Sequence, residues 1–194
     1  MPKVHLKRAG RCPQCFFRPA FCLCPTIPTV HTSLNYTIIR HWADTNSPTN
    51  TGRLADLAMP SLTLHDYGHL DVPPFSPDWL PSGPLWLLFP PEEAHPPPPA
   101  DAPPPSGLVI LDGTWRHVRR MVRRNPTLQH LPRFTPPVHS PDRQRIRQPP
   151  FPGGLATLEA IAAAVSVLEG PEVAQPLDDL FDRFVRQIRA QRGY

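Results

Sequence analysis

The sequence predicts an α/β protein: a single, mostly parallel sheet covered by helices, preceded by a small four-cysteine knuckle. Three observations carry this reading. Leu108-Val109-Ile110-Leu111 is a continuous apolar run that stops at Asp112-Gly113, the pattern of a strand buried on both faces. From Asn35 onward, strand-like and helix-like segments alternate, as they do when helices cross over a parallel sheet. All four cysteines fall within the short stretch from Cys12 to Cys24.

Tyr36-Thr37-Ile38-Ile39 reads as the first strand, followed by a short helix over Thr51 to Met59. Leu62-Thr63-Leu64 and Leu85-Trp86-Leu87-Leu88-Phe89 are further strands. After Asp112 an amphipathic helix places Trp115, Val118 and Val122 on one face, with most of its arginines outside that face. Asn125-Pro126 stops it. Residues 155–168 are apolar nearly all round, which predicts a buried helix. Pro176 is expected to open the last helix, with Leu177, Leu180, Phe181, Phe184 and Ile188 as its apolar stripe.

The chain has 194 residues, enough for one packed domain with appendages. No run is long and apolar enough to span a bilayer, and the first residues lack the apolar core of a secretory signal. These features predict a cytoplasmic protein with reduced thiols. Basic residues number 20 against 16 acidic ones, and nearly all of the basic ones are arginine. They cluster at Arg116, Arg119, Arg120, Arg123 and Arg124, and again at Arg143, Arg145 and Arg147. Arginine suits bidentate phosphate contacts, so the clusters point to a nucleic-acid partner. Proline occurs 31 times, and the stretch from 90 to 107 is so rich in it that it predicts an extended surface loop.

The cysteines read Cys12-x2-Cys15-x6-Cys22-x-Cys24. Two close pairs can bring four thiolates to one metal at about 2.3 Å per sulfur, which favours Zn2+. An iron–sulfur cluster would use the same four thiolates.

Several motifs together resemble the DTW-domain family. The opening has CxxC, then Arg18-Pro19, then CxC, then Ile27-Pro28. Asn50-Thr51-Gly52-Arg53, Asp112-Gly113-Thr114-Trp115, Arg145-Ile146-Arg147 and Thr157-Leu158-Glu159-Ala160 follow in the family's order. The resemblance implies a tRNA-uridine aminocarboxypropyltransferase, which moves the 3-amino-3-carboxypropyl group of S-adenosylmethionine to uridine N3 and releases 5′-methylthioadenosine. It implies a SPOUT-like fold with a knotted C-terminal part, a zinc-binding knuckle over 1–31 and a catalytic domain over 32–194. Two alternatives remain beside it: a SPOUT-type RNA methyltransferase and a non-catalytic zinc-knuckle RNA-binding protein. The chain departs from the family where His41-Trp42-Ala43-Asp44 stands for His-Pro-x-Glu, and where Ser47 stands near an expected arginine.

On this reading Asp112, Thr114 and Trp115 are the catalytic candidates. Asp112 follows a buried strand at its carboxyl end, where α/β proteins gather ligands, and is expected to take the N3 proton or hold the cofactor's amino group. Asn50, Thr51, Gly52, Leu88, Phe89, Asp112, Leu155, Thr157 and Glu159 are the expected cofactor-binding set. A carboxylate such as Glu159 on an apolar helix needs either a ligand or an arginine partner. Arg18, Arg53, Arg116, Arg119, Arg120, Arg143, Arg145 and Arg147 are the expected tRNA contacts. Cys12, Cys15, Cys22 and Cys24 are the expected metal ligands.

Overall fold

The computed structural model describes residues 10–69, 71, 74–90, 97–99, 101–137, 143–146 and 154–193. Strands β1 (Asn35–His41), β2 (Leu62–Tyr67), β3 (Leu85–Leu88), β4 (Gly107–Asp112) and β5 (Arg133–Phe134) form one sheet in the order β2-β1-β4-β3-β5. Every strand pair is parallel, with Tyr36 opposite both Leu62 and Leu108, and Leu87 opposite both Val109 and Arg133.

The alternation of side chains along the strands sorts the apolar residues into two cores. Tyr36, Ile38, Leu108 and Ile110 face one side, where they pack with α1 (Gly52–Ala58), α4 (Thr157–Leu168) and α5 (Pro171–Arg192). Ile39, Leu87 and Val109 face the other, where they meet Val118, Met121 and Val122 of α2 (Trp115–Arg124) and Leu128 of α3 (Pro126–His130). β4 is therefore buried on both faces, as its unbroken apolar run requires. The cysteine segment belongs to the first core: Cys15, Phe17 and Leu23 are buried there, and Phe17 meets Phe184 of α5 edge-on at 5.8 Å.

Strand order places a switch point between β1 and β4. From β1 the chain moves out to β2 on one side; from β4 it moves past β3 to β5 on the other. Ligands of open parallel sheets bind in the crevice at such points, beyond the carboxyl ends of the strands. An ion pair stiffens this edge, since Arg40 Nε donates to Asp66 Oδ1 at 2.8 Å across the β1–β2 pair.

Some boundaries differ from the sequence-based expectation. Asn125 ends α2, but Pro126 at once begins the short helix α3, because proline suits a first helical turn. β5 is only two residues long and too short to announce itself. α4 begins at Thr157, two residues after the apolar run starts. The last helix opens at Pro171, not at Pro176, which lies inside it. Ala174 continues the apolar face ahead of Leu177, so tertiary burial extends the helix through a residue that cannot donate to it. Pro176→Ala is expected to restore that donor and raise stability by about 1–3 kcal/mol. A thermal melt followed by circular dichroism checks this; an unchanged or lower midpoint means that the packing of the ring outweighs the missing bond.

Candidate functional site

Asp112 ends β4 with its side chain buried beneath the switch point. Asn50 Nδ2 donates to Oδ2 at 2.5 Å, and Thr157 Oγ1 donates to Oδ1 at 2.7 Å. Gly52 lies so close that an added Cβ would stand 2.7 Å from Oδ2. Burial pushes the Asp112 carboxyl above its usual range, while the bonds from Asn50 and Thr157 pull the other way. The same residues close two helix starts: Asn50 Oδ1 accepts from Arg53 N at 3.0 Å, and Thr51 Oγ1 accepts from Leu158 N at 3.2 Å. One carboxylate thus ties together the end of β4 and the beginnings of α1 and α4.

Beside this network lies an open cleft, walled by Leu88, Phe89, Gly113, Trp115, Leu155 and Thr157 among others. Its walls are largely apolar, as the walls of small-molecule sites are. Leu88, Phe89, Leu155 and Thr157 of the expected cofactor-binding set therefore line the cleft. Asn50, Thr51, Gly52, Asp112 and Glu159 are not among the lining residues; they are packed behind it. Asp112 in particular turns both carboxylate oxygens inward, to Asn50 and Thr157. Gly52 is required for close approach, since an added Cβ would collide with Asp112.

Thr114 caps α2, accepting from His117 N at 3.3 Å. Trp115 is half-buried, packs on Phe89 with ring centroids 5.6 Å apart, and lines the cleft. Glu159 is buried and paired: Arg145 Nε donates to its Oε1 at 3.0 Å, and Ala156 N donates to its Oε2 at 3.0 Å. It is a cap with an arginine partner.

The arginines divide in two. Arg18, Arg116, Arg119 and Arg120 are exposed. Arg53, Arg143 and Arg145 are turned inward, which corrects their reading as surface phosphate contacts. Arg53 is buried, donates to the carbonyls of Thr45 and Ser47, and lies 3.5 Å over the Phe16 ring. Arg143 binds Asp178 and Asp182 of α5. Arg147 lies outside the described residues.

The cysteine sulfurs all lie within 4.8 Å of one another, with Cys12–Cys24 at 3.5 Å and Cys15–Cys22 at 3.6 Å. The edge of a tetrahedron with about 2.3 Å metal–sulfur bonds is about 3.8 Å, so the donor set and spacing fit one zinc ion. Burial works against a Cys12 thiolate, but backbone N–H groups of Cys15 and Gln14 bring its pKa down to about 7. Burial raises Cys22 and Cys24, a cost that a dication would remove. Phe16, between the two pairs, holds a left-handed φ of 64° that turns the chain back.

Three features escaped the sequence reading. His117 stacks on His41 at 3.7 Å, a contact that depends on strand order. Arg133 is fully buried at β5, with its guanidinium 5.0 Å from the Phe89 ring centre. Thr135 and Pro136 complete a wall of the cleft. Burial holds His41 below its usual pKa, and His117 and Arg120 add to this against Asp44.

One parallel five-stranded sheet flanked by helices, with a buried aspartate at its switch point, makes this an α/β protein. The pattern of the DTW domain family matches residues 9–189, and the chain belongs to that family. It is 29% identical over 179 residues to tRNA-uridine aminocarboxypropyltransferase 2 of Macaca fascicularis, a match that covers 87% of this chain and 60% of that protein. The chain thus spans about 60% of the length of that relative. No solved structure matches it significantly. No helix among the described residues is long and apolar enough to cross a membrane.

Gly52→Ala is expected to drive a methyl group into Asp112 and cost about 1–3 kcal/mol. Urea denaturation of the two chains measures this; equal midpoints would show that α1 can shift without disturbing the aspartate.

Proposed function

We propose that the chain transfers the 3-amino-3-carboxypropyl group of S-adenosylmethionine to N3 of a uridine in tRNA. The observation that carries this is the cleft beyond the carboxyl ends of β3, β4 and β5, with the Asp-Gly-Thr-Trp and Thr-Leu-Glu-Ala motifs converging on one wall. The family and the named relative support the reaction class. A SPOUT-related, knotted C-terminal part belongs to the same proposal and rests on the family resemblance.

Leu88, Phe89, Trp115 and Leu155 would hold the cofactor's apolar parts, and the Thr157 side of the cleft its polar ones. When bound, S-adenosylmethionine supplies a sulfonium that activates the carbon to be transferred. Uridine N3 would give its proton to solvent and bond to that carbon, the electron pair of the broken carbon–sulfur bond leaving with 5′-methylthioadenosine. The three carbons on the sulfonium compete, so the walls choose the reaction by orientation, with the methyl turned away from N3. The uridine has to leave its stack to reach the cleft. Exposed Arg18, Arg116, Arg119 and Arg120 suit the phosphates on either side. Asp112 acts through Asn50 and Thr157, keeping the start of α4 against the cleft.

Incubation with tRNA and labelled cofactor, followed by nucleoside mass spectrometry, is expected to show aminocarboxypropyluridine and 5′-methylthioadenosine. S-adenosylhomocysteine and a methylated base would instead assign a methyltransferase. Asp112→Asn can preserve both contacts, since the Thr157 hydroxyl can turn to accept, and is expected to keep turnover within about ten-fold. Asp112→Ala frees both partners and is expected to lose at least about 10²-fold. A comparable collapse with asparagine would mean that the carboxylate charge takes part in the reaction.

Cys12, Cys15, Cys22 and Cys24 would hold one structural zinc per chain. Elemental analysis is expected to return one zinc that Cys22→Ser releases, and release is expected to loosen the packing of Phe17 on Phe184. Protein prepared without chelator and found free of zinc would overturn this assignment.

A further inference from the structure

A second cluster of metal-ligating side chains lies on the opposite side of Gly113 from Asp112's network. His41 arrives from the end of β1, Asp44 from the turn that follows, and His117 from the first turn of α2. Each offers a ligand atom, and the three atoms lie within 4.8 Å of one another. The approach depends on Gly113, where an added Cβ would stand 3.2 Å from His41 Cβ and 3.3 Å from His117 Cβ.

The polar atoms here are not satisfied as a hydrogen-bonded group would be. His117 Nδ1 and Asp44 Oδ2 are both closed to solvent and have no hydrogen-bond partner among the described residues. They face each other at 3.9 Å, too far for a direct bond. A water placed at about 2.8 Å from each would be squeezed to an angle near 90°. A zinc-class ion at about 2.0–2.2 Å from nitrogen and oxygen sets a tetrahedral pair about 3.4 Å apart, a closure of roughly half an ångström.

We propose that His41, Asp44 and His117 form a second metal site, which takes a divalent ion of the zinc class. Two imidazoles and a carboxylate are a familiar ligand set for such ions, and three protein ligands leave a position for water or a substrate oxygen. The imidazole rings are stacked at 3.7 Å and 12°, so one of them must turn about its Cβ–Cγ bond to aim a nitrogen at the ion. His117 Nδ1 has no hydrogen-bond partner among the described residues, and the bond that His41 Nδ1 accepts from Ala43 N is long at 3.3 Å, so hydrogen bonding holds neither ring tightly. The Thr114 cap fixes the backbone of His117 and leaves its ring to turn. The site adjoins Gly113, which lines the cleft, but its occupancy does not depend on what the cleft binds.

Cobalt(II) titration of the full chain, followed by its absorption spectrum, separates the two sites. The first equivalent is expected to give the intense sulfur-to-cobalt charge transfer of thiolate ligands. The second is expected to give only weak visible bands, as nitrogen and oxygen ligands do. Asp44→Ala and His117→Ala are each expected to abolish the second equivalent and leave the sulfur signal intact, which also reports that the fold survives. Uptake that stops at one equivalent with micromolar free cobalt, in a chain whose melting point falls on His117→Ala, would make the group an ordinary ion pair and overturn the proposal. A second equivalent that persists in both Asp44→Ala and His117→Ala would also overturn it.

Discussion

The arrangement around the cleft depends on one buried carboxylate. Burying Asp112 is costly, and the cost is met only because Asn50 and Thr157 both donate to it. Asn50 lies in the loop before α1 and Thr157 opens α4, both distant in sequence from β4. Gly52 completes the arrangement by having no side chain in the one place where a side chain would collide. An apolar residue at 112 would leave both donors unpaired in the interior, and each would then cost free energy on the order of 1–3 kcal/mol. The geometry of the cleft wall formed by Thr157 and Leu155 therefore follows from a residue that does not line it.

A second set of polar contacts binds the rest of the fold to this centre. Glu159 and Arg145 hold the start of α4 from its other side, and Arg143 fastens the same stretch of chain to α5. These are inward, hydrogen-bonded ion pairs, in which losing one partner strands the other. The exposed arginines of α2 are different in kind: their neighbours are mostly solvent, and their charge is available at long range. Composition counts the two groups alike, and only burial tells them apart.

That distinction marks how far the sequence could be read. The continuous run at 108–111 and the apolar segment at 155–168 were legible because burial on most sides leaves few polar positions in the pattern, Thr157, Glu159 and Ser166 being the exceptions within α4. Asp112 was legible as the end of such a strand. Its direction was not, since an aspartate at a strand end can equally face a ligand or a neighbouring loop, and the choice was made by Asn50, over sixty residues earlier. Arg53 was misread for the same reason: nothing local shows that Phe16 waits beneath it. Pro176 misled because proline at the start of a helix and proline inside one look alike until the packing partner of Ala174 is known. His41 and His117 met only through the pairing of β1 with β4, an order that no local pattern encodes.

The stacking of Arg53 on Phe16 has a thermodynamic consequence. Phe16 sits in the bend between the two cysteine pairs, and Arg53 belongs to the first turn of α1, whose preceding residue Asn50 grips Asp112. The knuckle and the first turn of α1 are therefore joined by one packed contact. Ordering the cysteines fixes the plane on which the guanidinium rests, and whatever steadies residues 50–53 steadies that plane in turn. Linkage makes such an effect reciprocal, so an ion held by the cysteines and anything that orders residues 50–53 would each favour the other by the same factor.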